Sequence, residues 1–284
     1  SSIDSMLSRK GTISSMRSIR VSRTRRGGWV TTSLASKRMR GLCHGVVSEP
    51  SRRRQRLRRL AGCHLLGPKP IWRHQPNWCL LENGFGLGLN FLATWQAWRD
   101  DPHRPARLHY VATESHPVEP KDLHRSTAPW PELQDLTQAL MQQWWGLLPG
   151  MQRLSFEGGA VTLDLVVGDC ELSLPQLELK ADSVFLDGFS PRSNPQMWQS
   201  KILREITRLS RHGAWWASWC VAGMVTRTLA ELGLTVGKRP GLPPKRECLQ
   251  ARWFDTNAAD QQTGPQNSAD PVWVLGAGLA GASV

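Results

Sequence analysis

A glycine-rich segment beside an acidic residue is the part of the sequence best suited to bind a cofactor. A short apolar run, residues 78–81, ends in Glu82, and three glycines follow at alternate positions, Gly84, Gly86 and Gly88. Glycine lets the backbone approach a ligand closely and adopt positive φ, and the N–H groups that open a helix offer hydrogen-bond donors and a positive dipole end. The segment therefore predicts a strand, a tight turn and a helix around a nucleotide-like cofactor.

The spacing of the glycines indicates which cofactor this is. Dinucleotide sites have Gly-x-Gly-x-x-Gly, whereas this turn has Gly-x-Gly-x-Gly after an acid. A carboxylate at Glu82 would repel a pyrophosphate but attract the ammonium group of S-adenosylmethionine, so the pattern favours S-adenosylmethionine. Phe85 within the turn and Asn90 just after it join the cofactor-binding candidates. The alternative is a glycine-rich connection that holds no ligand.

Acids also follow three later predicted strands. Glu114 ends the run that starts at Leu108 and is placed to hold ribose hydroxyls. Asp169 follows residues 161–168, where a carboxylate can accept from the exocyclic amine of adenine. Asp187 ends the run that starts at Asp182. Because parallel strands end at one edge of a sheet, we expect these three acids and Glu82 to lie along the same edge.

Asp187, which follows the fourth predicted strand, is the candidate catalytic residue. The alternative is that Asp187 caps the turn into the next helix, which Asn194 and Pro195 are predicted to begin.

Strands alternate with helices from residue 76 to 256, which predicts an α/β fold. We expect a Rossmann-like, mostly parallel sheet with helices on both faces and an antiparallel closing strand. One predicted helix carries apolar positions at Leu89, Leu92, Ala93 and Ala97, with Gln96 on the same stripe.

Positive charge is concentrated at the start of the chain. The 284 residues carry a net charge of +13, yet residues 1–73 alone hold eighteen Lys and Arg against two acids. The remaining residues are slightly acidic, so the global charge does not indicate nucleic-acid binding by the folded domain. Residues 1–75 predict disorder. They could be a basic arm for RNA, an organelle transit peptide, or a stretch that is not native coding sequence.

The composition favours a cytoplasmic protein without metal. The six cysteines form no C-x-x-C pair, and no run of eighteen apolar residues occurs. We expect a monomer whose nucleic-acid contacts come from a local patch. Lys238, Arg239, Lys245 and Arg246 could contact phosphates, although such a cluster is as often a solvated loop.

Four motifs in order resemble the MnmC family. They are Glu82 to Phe91, the Phe185 to Pro191 segment followed by Asn-Pro-Gln-Met-Trp (194–198), Lys-Arg-Glu (245–247), and Gly-Ala-Gly-Leu-Ala-Gly (276–281). The resemblance covers residues 77–284. It implies a class I methyltransferase that acts, with S-adenosylmethionine, on the amine of 5-aminomethyl-2-thiouridine at the tRNA wobble position.

The amine acceptor that the resemblance implies gives Asp187 a role. Methyl transfer from a sulfonium to an amine needs alignment and a neutral nucleophile, and an alkylamine of pKa ~10 is mostly protonated at pH 7. We expect Asp187 to orient the amine and take its proton, with Phe189, Pro191 and Trp198 as an apolar wall.

The resemblance also implies a second, FAD-dependent oxidoreductase domain. Residues 257–270 predict a linker, and Gly276, Gly278 and Gly281 form an FAD-binding motif at which this sequence stops. We expect this fragment to be inactive as an oxidoreductase and its methyltransferase activity to be in question. Two other functions stay open: an RNA-binding protein acting through its basic arm, and an FAD- or NAD-dependent oxidoreductase fragment.

Overall fold

The computed structural model describes residues 70–188, 190–241 and 246–254, together with the backbone of two short strands, β1 (Arg20–Arg23) and β2 (Trp29–Thr32). The two short strands pair antiparallel. They lie within the basic segment, and the nature of residues 1–75 stays a prediction. The predicted linker and the second glycine motif lie outside the described residues.

The order of the elements confirms the predicted alternation of strands and helices. The described domain consists of β3 (Asn77–Asn83), α1 (Leu89–Asp100), β4 (Arg107–Glu114), α2 (Pro120–Thr127), α3 (Gln134–Gln143), β5 (Gly150–Phe156), β6 (Val161–Val167), α4 (Cys170–Ser173), β7 (Ala181–Leu186), α5 (Ser200–Arg208), β8 (Ser210–Ser218), α6 (Gly223–Glu231), β9 (Leu234–Pro240) and β10 (Glu247–Trp253).

Eight of these strands form one mixed sheet in the order β5-β6-β4-β3-β7-β8-β10-β9. The five strands from β6 to β8 pair in parallel, and β10 runs antiparallel to both β8 and β9. The Rossmann-like α/β fold with an antiparallel closing strand is therefore confirmed. Helices cover both faces, and the carboxyl ends of β3, β4, β6 and β7 share one edge.

The antiparallel edge strand β5 was not predicted. Its alternation is weak, because only Leu154 and Phe156 point into the core, while Met151 and Arg153 face outward. An edge strand buries one face, so its sequence lacks the continuous apolar run that marks the central strands.

A hydrophobic core lies on each face of the sheet. One packs α1 and α3 against the sheet and is rich in aromatic residues, and the other packs α5 and α6. In α1 the predicted stripe is only partly right, because Phe91, Trp95 and Trp98 are buried while Leu89 and Ala97 are only partly so. Large aromatic rings occupy the buried face of α1, because burying each ring removes a large apolar area from water.

Two predicted boundaries can be compared with the structure. Trp72 is fully buried, and its indole N–H donates to Asp101 at 2.9 Å, so this residue packs against the domain that was predicted to begin at residue 76. After β7 the chain makes a single 3-10 turn, Gln196–Trp198, and α5 begins at Ser200 with Gln199 in the N-cap position. The Asn-Pro pair therefore opens the short turn and not the long helix.

Candidate active site

The glycine turn joins β3 to α1 at the carboxyl edge of the sheet. Gly84 has φ 101° and donates its N–H to the carbonyl oxygen of Thr113 on β4. Gly86 has φ 57°, and its N–H donates to Glu114 Oε2 at 2.8 Å. Gly88, also left-handed, precedes the first residue of α1. The turn is thus fastened to the end of β4, and α1 opens towards the space above the sheet.

Gly84 and Gly86 differ in what a side chain at each position would meet. A β-carbon on Gly84 would lie 2.7 Å from the carbonyl oxygen of Asp187, so the fold itself excludes a side chain there. A β-carbon on Gly86 would meet no atom within 4 Å. The space over Gly86 is open and lies near the start of α1. Glu114 accepts the Gly86 N–H, and Asp169 follows β6, the strand next to β4. These residues fit an adenosyl cofactor.

Asp187 follows β7 and stands beside the turn. Its Oδ2 accepts a hydrogen bond from Asn90 Nδ2 at 2.5 Å, and the indole N–H of Trp219, just after β8, also acts on this carboxylate. Burial raises the pKa of Asp187, while these two donors lower it, and the net shift is upward. Within residues 190–241 neither the 3-10 turn at Gln196–Trp198 nor α5 has a side-chain cap, and the catalytic and capping roles of Asp187 both stay predictions.

Glu82 is less accessible than the sequence predicts. It is completely buried, Oε1 accepts from Asn90 Nδ2 at 2.7 Å, and Oε2 accepts from the Tyr110 hydroxyl at 2.8 Å. Burial raises the pKa of Glu82 well above its usual range, and the nearby charge of Asp187 raises it further. Both oxygens of Glu82 therefore face Asn90 and Tyr110 and not the open space over the glycine turn.

The other two acids lie where the strands end, but each already has a partner. Glu114 accepts the N–H groups of Gly86 and His116, at 2.8 and 2.9 Å. Asp169 is exposed, and its Oδ1 caps α4 by accepting the N–H of Glu171 at 2.9 Å. A carboxylate has about four lone-pair sites, so each retains acceptor capacity for ribose or adenine.

The predicted apolar residues divide into core and surface. Phe85 is 3% exposed and stacks on Trp144 with a centroid distance of 5.3 Å, so it supports the turn from beneath and presents only its backbone to the site. Trp198 is also 3% exposed and packs in the core around α5. Pro191 is partly exposed. Phe189 and Lys245 lie outside the described residues.

Comparisons with known proteins agree with this geometry. A family model described as S-adenosyl-L-methionine-dependent methyltransferase matches residues 131–253. Proteins named tRNA 5-methylaminomethyl-2-thiouridine biosynthesis bifunctional protein MnmC are 49% identical in Acidovorax sp. (strain JS42) and 48% identical in Paracidovorax citrulli (strain AAC00-1). Each match covers 79% of this chain and 36% of the relative. The chain belongs to the MnmC family.

A solved structure supports membership of the MnmC family. MnmC2 from Aquifex aeolicus is 25% identical with a TM-score of 0.50, and the match covers 62% of this chain and 53% of that one. The chain spans about a third of the length of the curated MnmC relatives. Their matches cover about 224 of its 284 residues, whereas 76–284 contains only 209, so the similarity begins before residue 76.

Three of the four basic residues predicted to contact phosphates lie on or next to the closing strands β9 and β10, here called the closing hairpin. Because β9 runs parallel to β8, the end of β9 and the start of β10 fall at the same edge of the sheet as Asp187, roughly 15 Å away at about 4.8 Å per strand. Arg239 and Arg246 are exposed there. Lys238 forms an ion pair with Glu247 at 2.9 Å, so its charge is partly neutralised.

Three residues of this MnmC site were not predicted. Tyr110 was hidden within an ordinary buried strand, although it is the single tyrosine of the chain. Trp219 directly follows the last residue of β8. Met197 packs over Gly84 and Gly188, where a β-carbon on Gly188 would lie 2.8 Å from its sulfur. In the described part of the chain no helix is long and apolar enough to cross a membrane, and no group of three His, Cys, Asp or Glu is placed to hold a metal.

Proposed function

We propose that this chain transfers a methyl group from S-adenosylmethionine to the primary amine of 5-aminomethyl-2-thiouridine in tRNA. The curated relatives are named for making 5-methylaminomethyl-2-thiouridine, whose amine carries one methyl group. A methyltransferase domain in such a protein would place that methyl group on the unmethylated amine. Because the relatives are called bifunctional and are longer, the step that forms the amine belongs to the rest of such a protein. The reaction takes place in the cytoplasm.

The observation that carries this proposal is the position of Asp187. Its carboxylate lies beside Gly84 and Asn90, where the glycine turn and the end of β7 meet, and it is partly exposed. At this position the part of the site that would hold the cofactor meets the exposed carboxyl edge of the sheet. Glu114 and Asp169 would hold the ribose and the adenine of the cofactor on the side of β4 and β6.

Asp187 supplies the proton chemistry that the amine requires. Bound S-adenosylmethionine supplies an electrophilic methyl group on a positively charged sulfur. The substrate arrives as an ammonium ion, and Asp187 accepts one of its protons, which frees the nitrogen lone pair for attack. The raised pKa of Asp187 favours this transfer, because a stronger base takes the proton more readily. No metal is needed, since the leaving group is already a good one.

The closing hairpin would contact the tRNA backbone. Arg239 and Arg246 lie at the same edge as Asp187 and could bind phosphates while the wobble base is splayed into the site. A patch of this size gives a moderate salt dependence of binding. The excess charge of the first 73 residues is not needed for this contact.

Calorimetry and methyl transfer test the proposal together. We expect the chain to bind S-adenosylmethionine and not NAD or FAD, and to transfer labelled methyl groups to tRNA that carries the aminomethyl group. Fully methylated tRNA is the control acceptor and should take up no label. Binding of NAD or FAD without S-adenosylmethionine would favour the oxidoreductase alternative. RNA binding that depends only on residues 1–69 would favour the basic-arm alternative.

A further inference from the structure

A buried group of side chains connects the two acids nearest the amine. The hydroxyl of Tyr110 donates to Glu82 at 2.8 Å, and Asn90 Nδ2 lies 2.7 Å from Glu82 and 2.5 Å from Asp187. An amide nitrogen carries two hydrogens, so one Asn90 side chain can donate to both carboxylates at once. The two acids, 105 residues apart in sequence, are joined through a single amide.

The group contains no compensating positive charge. The polar groups that face Glu82 and Asp187 are Tyr110 and Glu114 from β4, Asn90 from α1 and Trp219 after β8. No ion pair with Lys, Arg or His is recorded for either acid within residues 70–188, 190–241 and 246–254. Two uncompensated negative charges in a site with little water are unfavourable.

We propose that Glu82 and Asp187 form one acid pair that shares a single proton in the ligand-free protein, with Asn90 as its bridge and Tyr110 as its support. The remaining negative charge resides mainly on Asp187, because Glu82 is fully buried and Asp187 is reached by solvent. Tyr110, Glu82 and Asn90 are positioning residues in this arrangement. The amine that the pair receives rests on the proposed function, whereas the shared proton is a property of the free chain.

The pair explains how the site accepts a cation and then a proton. Before binding it holds one proton and one negative charge, which attracts an ammonium ion. The ammonium then gives one proton to the pair, which becomes neutral with two protons, and the amine becomes neutral as well. Charge and protons balance, and no further residue has to store the proton until product leaves.

The single tyrosine makes the pair measurable. Replacing Tyr110 with 3-fluorotyrosine gives one fluorine resonance next to Glu82. The phenol stays protonated, because burial and Glu82 raise the pKa of Tyr110 well above its usual value. We expect the resonance to titrate with a midpoint above the usual glutamate range of about 4.3, and Glu82→Gln to abolish this titration.

Two variants should shift the midpoint in opposite directions. Asp187→Asn removes the repelling charge and should lower the midpoint by about one pH unit or more. Asn90→Ala removes a donor to ionised Glu82 and should raise it. Asp135→Asn is the control, because this exposed acid on α3 pairs with Arg99 and does not contact the group, and it should leave the midpoint unchanged.

The outcomes separate this proposal from the proposed function. An unchanged midpoint in Asp187→Asn, or shifts of the same sign in both variants, would overturn the acid pair even if methyl transfer is found. Absence of methyl transfer with the expected opposite shifts would count against the proposed reaction alone. If Asp187→Asn fails to fold, the sign of the Asn90→Ala shift decides.

Discussion

The proposed chemistry depends on Asp187, and a neutral side chain of the same size tests its role. Asp187→Asn keeps the size of the side chain but removes the charge that would orient the amine and accept its proton. We expect the affinity for S-adenosylmethionine to be retained and single-turnover methyl transfer to fall roughly 10²-fold or more. Asp135→Asn, which changes an exposed acid on α3, is the control and should leave both unchanged. Equal turnover in wild type and Asp187→Asn would rule out the role in proton transfer.

Two glycines of the turn should respond differently to the same small side chain. Gly86→Ala meets no atom, so it should cost only about 1 kcal/mol for the left-handed backbone while reducing cofactor affinity at least tenfold. Gly84→Ala collides with the backbone of Asp187 and should destabilise the fold by about 1–3 kcal/mol more. Urea denaturation and calorimetry measure the two effects. Normal cofactor affinity in Gly86→Ala would place the ligand elsewhere.

At the scale of elements, the sequence predicts features that depend on neighbouring residues and misses contacts between residues that are far apart in the chain. Strand ends followed by Glu82, Glu114, Asp169 and Asp187 are local signals, and the parallel sheet brings them to one edge as expected. The bridge from Asn90 to two acids is not local, because it depends on how closely α1 approaches β7. The edge strand β5 and the start of α5 were missed since neither has a strong periodicity or cap.

A row of polar side chains across β4, β5 and β6 predicts how the stability of the fold changes at acidic pH. Asp164 on β6 is 2% exposed, and Arg153 on β5 binds both of its oxygens at 2.6 Å, while His109 on β4 contacts it at 2.8 Å. Burial alone would raise the pKa of Asp164, but the hydrogen bonds from Arg153 and His109 hold it well below the usual value. The row fixes the register of three strands.

Removing Arg153 should therefore weaken the fold in a pH-dependent way. A depressed pKa in the folded state adds stability above the unfolded value of about 3.9, and that stability is lost as the pH falls towards the folded value. Arg153 is 60% exposed, so we expect Arg153→Met to cost only about 1–3 kcal/mol at pH 7, with a smaller loss below pH 4. Urea titrations at both pH values test this. A loss that grows on acidification would contradict the assignment of Asp164 as the responsible group.

At the scale of the whole molecule, the excess positive charge and the large sheet occupy different parts of the chain. The basic excess lies before residue 74, whereas the sheet, the site and the hairpin lie after residue 76. The chain covers about a third of its curated relatives, and the part it shares with them contains the complete parallel sheet and all four acids. We therefore expect the proposed methyl transfer to be independent of the second glycine motif at residues 276–281.

The last prediction concerns where the domain begins, and two shortened chains decide it. A chain that starts at residue 70 keeps Trp72, which is fully buried and bonded to Asp101, whereas a chain that starts at residue 76 loses it. We expect the first to keep the stability and cofactor affinity of the whole chain, and the second to be about 3–5 kcal/mol less stable, the usual cost of deleting a buried tryptophan.

Trp72→Phe in the longer of the two chains is the control, because it retains most of the apolar volume and should lose about 1–2 kcal/mol with the indole donor. Equal stability of the two chains would show that the domain begins at residue 76, and loss of cofactor affinity in the chain from residue 70 would show that the basic segment contributes to the site.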